Sequence, residues 1–321
     1  MLIGSIFTSL VVLSFLFLYM IMPGGAKQDE RNKFFGRNFA HRGLHSKDQR
    51  VPENSLPAFA KAAEAGYGIE LDIQLSKDKK IVVFHDDMLT RACGVEKRVD
   101  ELTFEELRQL RLFDTEETIP LFSEVLELID GRVPLIVELK TGRQNEDLCK
   151  MSAEMMRAYK GPICMESFNP AIVGWFRDHS KHIFRGQLAA PAKDFRSLPK
   201  MQAFLLSHLL TNGVSRPQFI AFRAAPKNAL VKLVHKIGAM SVVWTVDDTM
   251  DAAAYEADND CVIFQYYLPE PAYKEPELLR EINGLVDEEE EELAQEPELP
   301  EEPASIPPQK KADGSISEYD E

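Results

Sequence analysis

Short apolar, largely β-branched runs recur along the middle of the chain, separated by longer stretches of helical period. Eight of them have the length of buried strands: Asn38–His41, Gly68–Ile73, Pro134–Leu139, Ile163–Phe168, Ile183–Leu188, Gln218–Phe222, Ser241–Val246 and Val262–Gln265. Continuous apolar runs of this kind suit strands covered on both faces by helices. The clearest helix spans Ser55–Ala65, with Leu56, Phe59, Ala60 and Ala63 on one face, Asn54 placed to cap it and Gly66 to end it. Thr103-Phe104-Glu105-Glu106 has the form of a capping box opening another. Eight strands alternating with helices over about 250 residues predict an α/β fold, a TIM (β/α)₈ barrel. An open doubly wound sheet is the competitor, but no GxGxxG turn follows an early strand.

One further run, Ile81–His85, breaks the parallel rhythm. Only Ser76–Lys80 separates it from the strand before it. A parallel crossover needs a dozen or more residues, so the pair is an antiparallel hairpin. The turn brings His85 back towards Glu70 and Asp72.

The two ends read differently from the middle. Leu2–Met22 is 21 residues without a charge, about 31 Å as a helix at ~1.5 Å per residue and enough for a ~30 Å hydrocarbon core. Gly24-Gly25-Ala26 resembles a signal-peptide cleavage site, but the apolar run is long and no Lys or Arg precedes it. We expect a retained single-pass anchor in the cell membrane (residues 1–26), then a juxtamembrane linker (27–37). Lys27, Arg31, Lys33 and Arg37 follow the span, which places the barrel (38–285) on the cytoplasmic side. A fragment lacking residues 1–26 is expected to be soluble and active.

Overall composition is that of a globular protein, 45% hydrophobic and 28% charged, with a net charge of −15. Val286–Glu321 holds 14 acidic residues against Lys310 and Lys311, so it carries −12 and leaves −3 on the other 285 residues. With no basic excess, nucleic acid is excluded as a partner. The acidic, Pro-rich segment 286–321 reads as a disordered tail whose partner is unknown. Cys93, Cys149, Cys164 and Cys261 are scattered without a CxxC pair and read as free thiols.

Barrel active sites lie at the carboxyl ends of strands. Those positions hold His41 and Arg42 after the first strand, Glu70 and Asp72 on the second, His85 and Asp86 after the hairpin, and Glu138 and Lys140 on the next. Residues two apart on a strand share a face, so Glu70 joins Asp72 and Glu138 joins Lys140. Charges in apolar strands are costly unless paired or bound to metal. Three converging carboxylates suit one hard divalent cation, Ca²⁺ or Mg²⁺. Two histidines suit acid–base work near neutral pH. Arg42 and Lys140 suit an anionic group such as a phosphate.

His41-Arg42-Gly43, Pro52-Glu53-Asn54-Ser55, Ile69-Glu70-Leu71-Asp72, Ser76-Lys77-Asp78, Val83-Phe84-His85-Asp86, Val137-Glu138-Leu139-Lys140 and Trp244-Thr245-Val246-Asp247 together resemble the motifs of glycerophosphodiester phosphodiesterases, in that family's order. The resemblance implies a TIM barrel that hydrolyses glycerophosphodiesters to an alcohol and sn-glycerol 3-phosphate. It implies Glu70, Asp72 and Glu138 as metal ligands and His41 and His85 as the acid–base pair. Arg42 and Lys140 would be phosphate ligands, and Trp244 part of the glycerol pocket. Two departures stand out: Gln265-Tyr266-Tyr267-Leu268-Pro269 replaces the usual Thr-Asp near a Pro, and Asp247 replaces the usual Asn. Both are expected on the pocket wall, away from the histidines. The substrate is a small glycerophosphodiester or, in the alternative, a lysolipid cleaved by a lysophospholipase D-type activity at the bilayer bound through residues 2–22. A non-enzymatic membrane scaffold is the reading that makes no use of these residues.

Overall fold

The computed structural model describes residues 2–275, apart from the side chains of residues 2–4 and 6. The acidic tail lies outside the described residues. Nine strands are present among the described residues: β1 (Arg37–Ala40), β2 (Gly68–Leu75), β3 (Ile81–Val83), β4 (Leu135–Leu139), β5 (Ile163–Ser167), β6 (Phe184–Ala189), β7 (Phe219–Arg223), β8 (Met240–Val246) and β9 (Cys261–Phe264). All but β3 run parallel in the order β1-β9-β8-β7-β6-β5-β4-β2, and β1 pairs with β2 to close the barrel. The expected strands are found, each shifted by a residue or two at its ends.

On β2, Ile69, Leu71 and Ile73 are fully buried in the apolar layer under the helices, while Glu70 and Asp72 alternate to the inside. The barrel's lower interior is filled by aromatic rings. Phe34 stacks on Phe184 at 5.5 Å, and Phe39 and Phe219 lie over glycines. A Cβ on Gly68 would sit 2.4 Å from the Phe39 ring, and one on Gly186 2.0 Å from that of Phe219. Each fully buried Phe stabilises the fold by roughly 1.5–3 kcal/mol, so Gly186→Ala would disrupt this floor.

The hairpin forms as expected, with Leu75 opposite Ile81 and Ile73 opposite Val83. β1 pairs with the first half of β2 (Ala40 opposite Ile69), and β3 takes over the same edge in the second half. The chain after β1 and the chain after β3 therefore reach Glu70–Asp72 from opposite directions. β3 ends at Val83 because the next residues leave the ladder. Phe84 N still donates to Asp72 O (3.0 Å), but the carbonyls of Phe84 and Asp86 are taken by the Gln74 side chain (2.8 and 2.9 Å).

Two local expectations are corrected. The helix runs Leu56–Glu64 and buries Ala58, Phe59, Ala62 and Ala63, and its N-cap is Ser55. Asn54 does not cap it, because its side chain turns inward to Asp72. The Thr103 capping box is present, but its helix is a single turn, Phe104–Leu107. All four cysteines are free, three of them buried.

The N-terminal helix spans Leu2–Ile21. No helix among the described residues is long and apolar enough to cross a membrane, so the expected anchor is not shown. Phe7, Leu13 and Phe15 are 69%, 60% and 69% exposed, whereas Ile21 is fully buried with Leu209, Ile220 and Val231. The following segment is no free linker. Asn212 Nδ2 donates to Ile21 O (3.0 Å), Gly24 N to Pro217 O (2.8 Å) and Gln218 Nε2 to Gly25 O (2.9 Å). Phe34 then enters the barrel floor, 1% exposed. Ile21, Gly24, Gly25 and Phe34 pack on or bond to the barrel, so a cut after residue 26 removes structural contacts.

Candidate active site

His41 extends β1 by one residue, its N–H donating to Phe264 O (2.9 Å), and the chain then turns sharply at Arg42 and Gly43, both at positive φ (55° and 79°). A Cβ on Gly43 would lie 2.9 Å from Ala58, so glycine is required for this approach. The turn aims the Arg42 N–H at Glu70 Oε2 (3.0 Å) and its guanidinium at Glu53 Oε1 (2.7 Å) and Asp72 Oδ2 (3.5 Å). The contact with Asp72 is made by Arg42 Nε and is an ion pair rather than a hydrogen bond.

Glu70, Asp72 and Glu138 are 3%, 1% and 8% exposed. One oxygen from each lies within 4.8 Å of the others. Asp72 is held by Asn54 Nδ2 (2.8 Å) and faces Lys140 Nζ (3.4 Å), which also meets Glu138 Oε1 (2.8 Å). Burial opposes the ionised form of Asp72, but Lys140, His85 and Arg42 hold its carboxyl well below the usual range. Burial, then the neighbouring carboxylates, pushes Glu70 well above that range, and burial also raises Glu138 against the pull of Lys140. Carboxyls gathered this closely resist ionising together unless a positive charge joins them, and such a set of hard oxygen donors fits a divalent cation.

The two histidines have unlike partners. His41 Nδ1 donates to the Gln265 side-chain oxygen (2.9 Å), leaving Nε2 as the acceptor 3.9 Å from Glu70. Burial and then the Arg42 charge lower His41 from 6.5 to about 3. His85 Nδ1 instead meets a carboxylate, Asp86 Oδ1, at 2.6 Å. Asp86 Oδ2 is bound by Arg91 Nε (2.6 Å), and Arg91 reaches Glu53 (2.6 and 3.1 Å), which binds Arg42. A continuous chain of alternating charges thus runs from His85 round the rim to Arg42. Burial opposes ionisation of Glu53, but Arg91 and Arg42 hold it down at about 2.

Every residue expected at the site converges here. Trp244 donates Nε1–H to Ala221 O (2.9 Å) and packs edge-on to Phe168 (5.5 Å). These two rings wall a cavity of about 130 Å³ that also touches His41, Arg42, Glu70, His85 and Glu138. A larger groove of about 540 Å³ continues from the same two rings past Phe195, Leu198 and Leu206.

The expectation that both sequence departures avoid the histidines is half wrong: Gln265 holds His41 directly, while Asp247 faces its own loop at Thr249 (2.6 Å). Sequence reasoning also missed Arg91, Glu166 and the roles of Glu53 and Asn54. Glu53 and Asn54 lie in the Pro52-Glu53-Asn54-Ser55 motif, which is the signal that marks them. Arg91, in the segment after β3, had no such signal.

The chain matches the model of the glycerophosphoryl diester phosphodiesterase family over residues 41–267. It is 39% identical over 109 residues to a glycerophosphodiester phosphodiesterase of Bacillus altitudinis, covering 32% of this chain and 43% of that one. It is 30% identical over 157 residues to the lysophospholipase D GDPD1 of Rattus norvegicus, covering 45% and 48%. The match thus spans less than half the length of either relative. An Oleispira antarctica phosphodiesterase, solved with its product sn-glycerol-3-phosphate, shares the fold with a TM-score of 0.59 at 23% identity, over 79% of this chain and 97% of that one. With the family match running from His41 through the last barrel strand, the chain belongs to the glycerophosphoryl diester phosphodiesterase family.

Proposed function

We propose that the protein hydrolyses glycerophosphodiesters to an alcohol and sn-glycerol 3-phosphate, using one divalent cation, Ca²⁺ or Mg²⁺, at Glu70, Asp72 and Glu138. The observation that carries this reading is the convergence of three buried carboxylates with two histidines and two cationic side chains at one barrel mouth. A cation held there supplies Lewis-acid stabilisation of charge growing on the phosphoryl oxygens. The Arg42 guanidinium, beside Asp72, and Lys140, beside Glu138, supply two positive charges for a phosphate oxygen. His41, neutral with Nε2 free, takes the proton of the attacking oxygen. His85, oriented by the contact of its Nδ1 with Asp86, gives a proton to the leaving alkoxide. Trp244 forms the wall for the glycerol. Glycerol 3-phosphate release from glycerophosphocholine, compared with His41→Ala, tests the assignment, and wild-type rates in the mutant refute it.

A second reading, cleavage of lysolipids, is favoured by the groove. It opens from the Trp244–Phe168 wall, where the glycerol and an acyl chain attached to it would lie, and its sides are largely apolar. The relatives described as lysophospholipase D support the same reading. Release of lysophosphatidic acid from a lysolipid, scored beside glycerol 3-phosphate release, separates the two.

We also propose that the N-terminal helix is a single membrane span with the barrel on its cytoplasmic side. Large apolar side chains are exposed on all its faces from Phe7 to Tyr19, and the basic residues Lys27, Arg31, Lys33 and Arg37 follow it. Extraction of the full chain from membranes by alkaline carbonate would contradict the span.

A further inference from the structure

Glu166 is a carboxyl that the reading above does not use. It sits on β5, with Glu138 of β4 and Gly186 of β6 as its neighbours in register. It is 1% exposed, it lines the catalytic cavity with Phe168 and Trp244, and its Oε2 is buried with no hydrogen-bond partner. It is not one of the three carboxylates whose oxygens gather within 4.8 Å. A buried carboxyl without a partner is costly to keep. The floor of aromatic rings offers no polar group, Gly186 has no side chain to reach it, and the carboxyl of Glu138 is a like-charged neighbour. The missing partner is therefore a group that enters the cavity. Of the substrate's parts, the phosphate is anionic and is repelled by an acidic side chain. The glycerol hydroxyls can donate to a carboxylate and also accept from a carboxyl.

We propose that Glu166 is a specificity-determining residue that holds a free hydroxyl of the substrate's glycerol moiety. This inference rests on the phosphodiesterase reading and names what the site selects. The hydroxyl satisfies the orphaned oxygen, and a substrate lacking it leaves a buried polar group unpaired, which is how such sites reject deoxy analogues.

The test uses the full chain in detergent with glycerophosphocholine and its two analogues that each lack one free hydroxyl. Wild-type kcat/KM should fall about 10- to 100-fold on one analogue, the range expected for a hydrogen bond to an ionisable group. Glu166→Ala should lose a similar factor on glycerophosphocholine and less than about threefold on that analogue. Glu166→Gln, which keeps a donor and an acceptor, should fall between. Metal affinity and melting temperature should not fall in either variant. Equal loss on all three substrates, weakened cation binding, or wild-type indifference to both missing hydroxyls would each overturn the proposal. The wild-type arm decides the matter even if Glu166→Ala fails to fold. Absence of any wild-type release from glycerophosphocholine would sink the phosphodiesterase reading instead.

Discussion

Asn54 stands behind Asp72 and fixes it, so its replacement should weaken both the fold and the proposed cation site by separable amounts. The side-chain amide donates to Asp72 Oδ2 at 2.8 Å, and both residues are almost fully buried. A hydrogen bond to a charged group contributes about 1.5–3 kcal/mol. Asn54 also has φ of 55°, a conformation that asparagine tolerates and alanine does not. Forcing a non-glycine side chain there costs about 1–2 kcal/mol. Asn54→Gly should therefore lose the bond alone, and Asn54→Ala the bond plus the backbone strain, on the order of 3–4 kcal/mol in total. Cation affinity should fall 10- to 100-fold in both variants, as for other residues that orient a metal-binding carboxylate. Isothermal titration with Ca²⁺ and Mg²⁺ reads the affinity, and denaturant unfolding reads the stability. Wild-type affinity in Asn54→Gly would refute the claim that this bond positions Asp72. Equal stability of the Gly and Ala variants would refute the strain argument.

Three further outcomes are expected. Glu53 is lowered from 4.5 to about 2 by Arg91 and Arg42 against the effect of burial; because its folded value is the lower one, the stability it adds, on the order of 3 kcal/mol, is present above about pH 4.5 and lost as the pH falls towards 2. Acid unfolding of Glu53→Gln should show a correspondingly shallower pH dependence, and an unchanged profile would contradict the network. Gln265→Glu replaces a neutral acceptor 2.9 Å from His41 with a charge, so the acid limb of the pH–rate profile should move to higher pH; no movement would remove His41 from the rate law. Deleting residues 2–18 should leave barrel stability intact, whereas deleting 2–26 also removes Ile21 and the acceptors of Asn212 and Gln218, a loss of about 3–5 kcal/mol and roughly 10 °C in melting temperature; identical melting of the two truncations would show those contacts to be idle.

The barrel was legible because its strands are short apolar runs with turn signals between them, and because the Ser76–Lys80 spacing admits only a hairpin. The three clustered carboxylates were legible as charges inside otherwise apolar strands, and the two histidines as polar residues just past strand ends. What escaped was set by side-chain direction rather than by pattern. Asn54 is a sound helix cap by sequence, yet its left-handed backbone points the amide at Asp72. Gln265 carries no charge and breaks a family motif, so nothing marked it as the partner of His41. Glu166 lies in an apolar run that reads as core, and only the closed barrel shows that its carboxyl faces the cavity. Residues 21–36 look like a spacer after a hydrophobic segment, but their contacts with Asn212, Pro217 and Gln218 come from the far end of the chain.

The most direct test of the central claim is release of glycerol 3-phosphate from glycerophosphocholine by the detergent-solubilised full chain after EDTA treatment. Addition of Ca²⁺ or Mg²⁺ should restore release in the wild type and in neither Glu138→Gln nor His41→Ala. Release that persists without any cation, or that both variants retain at the wild-type rate, would contradict the account.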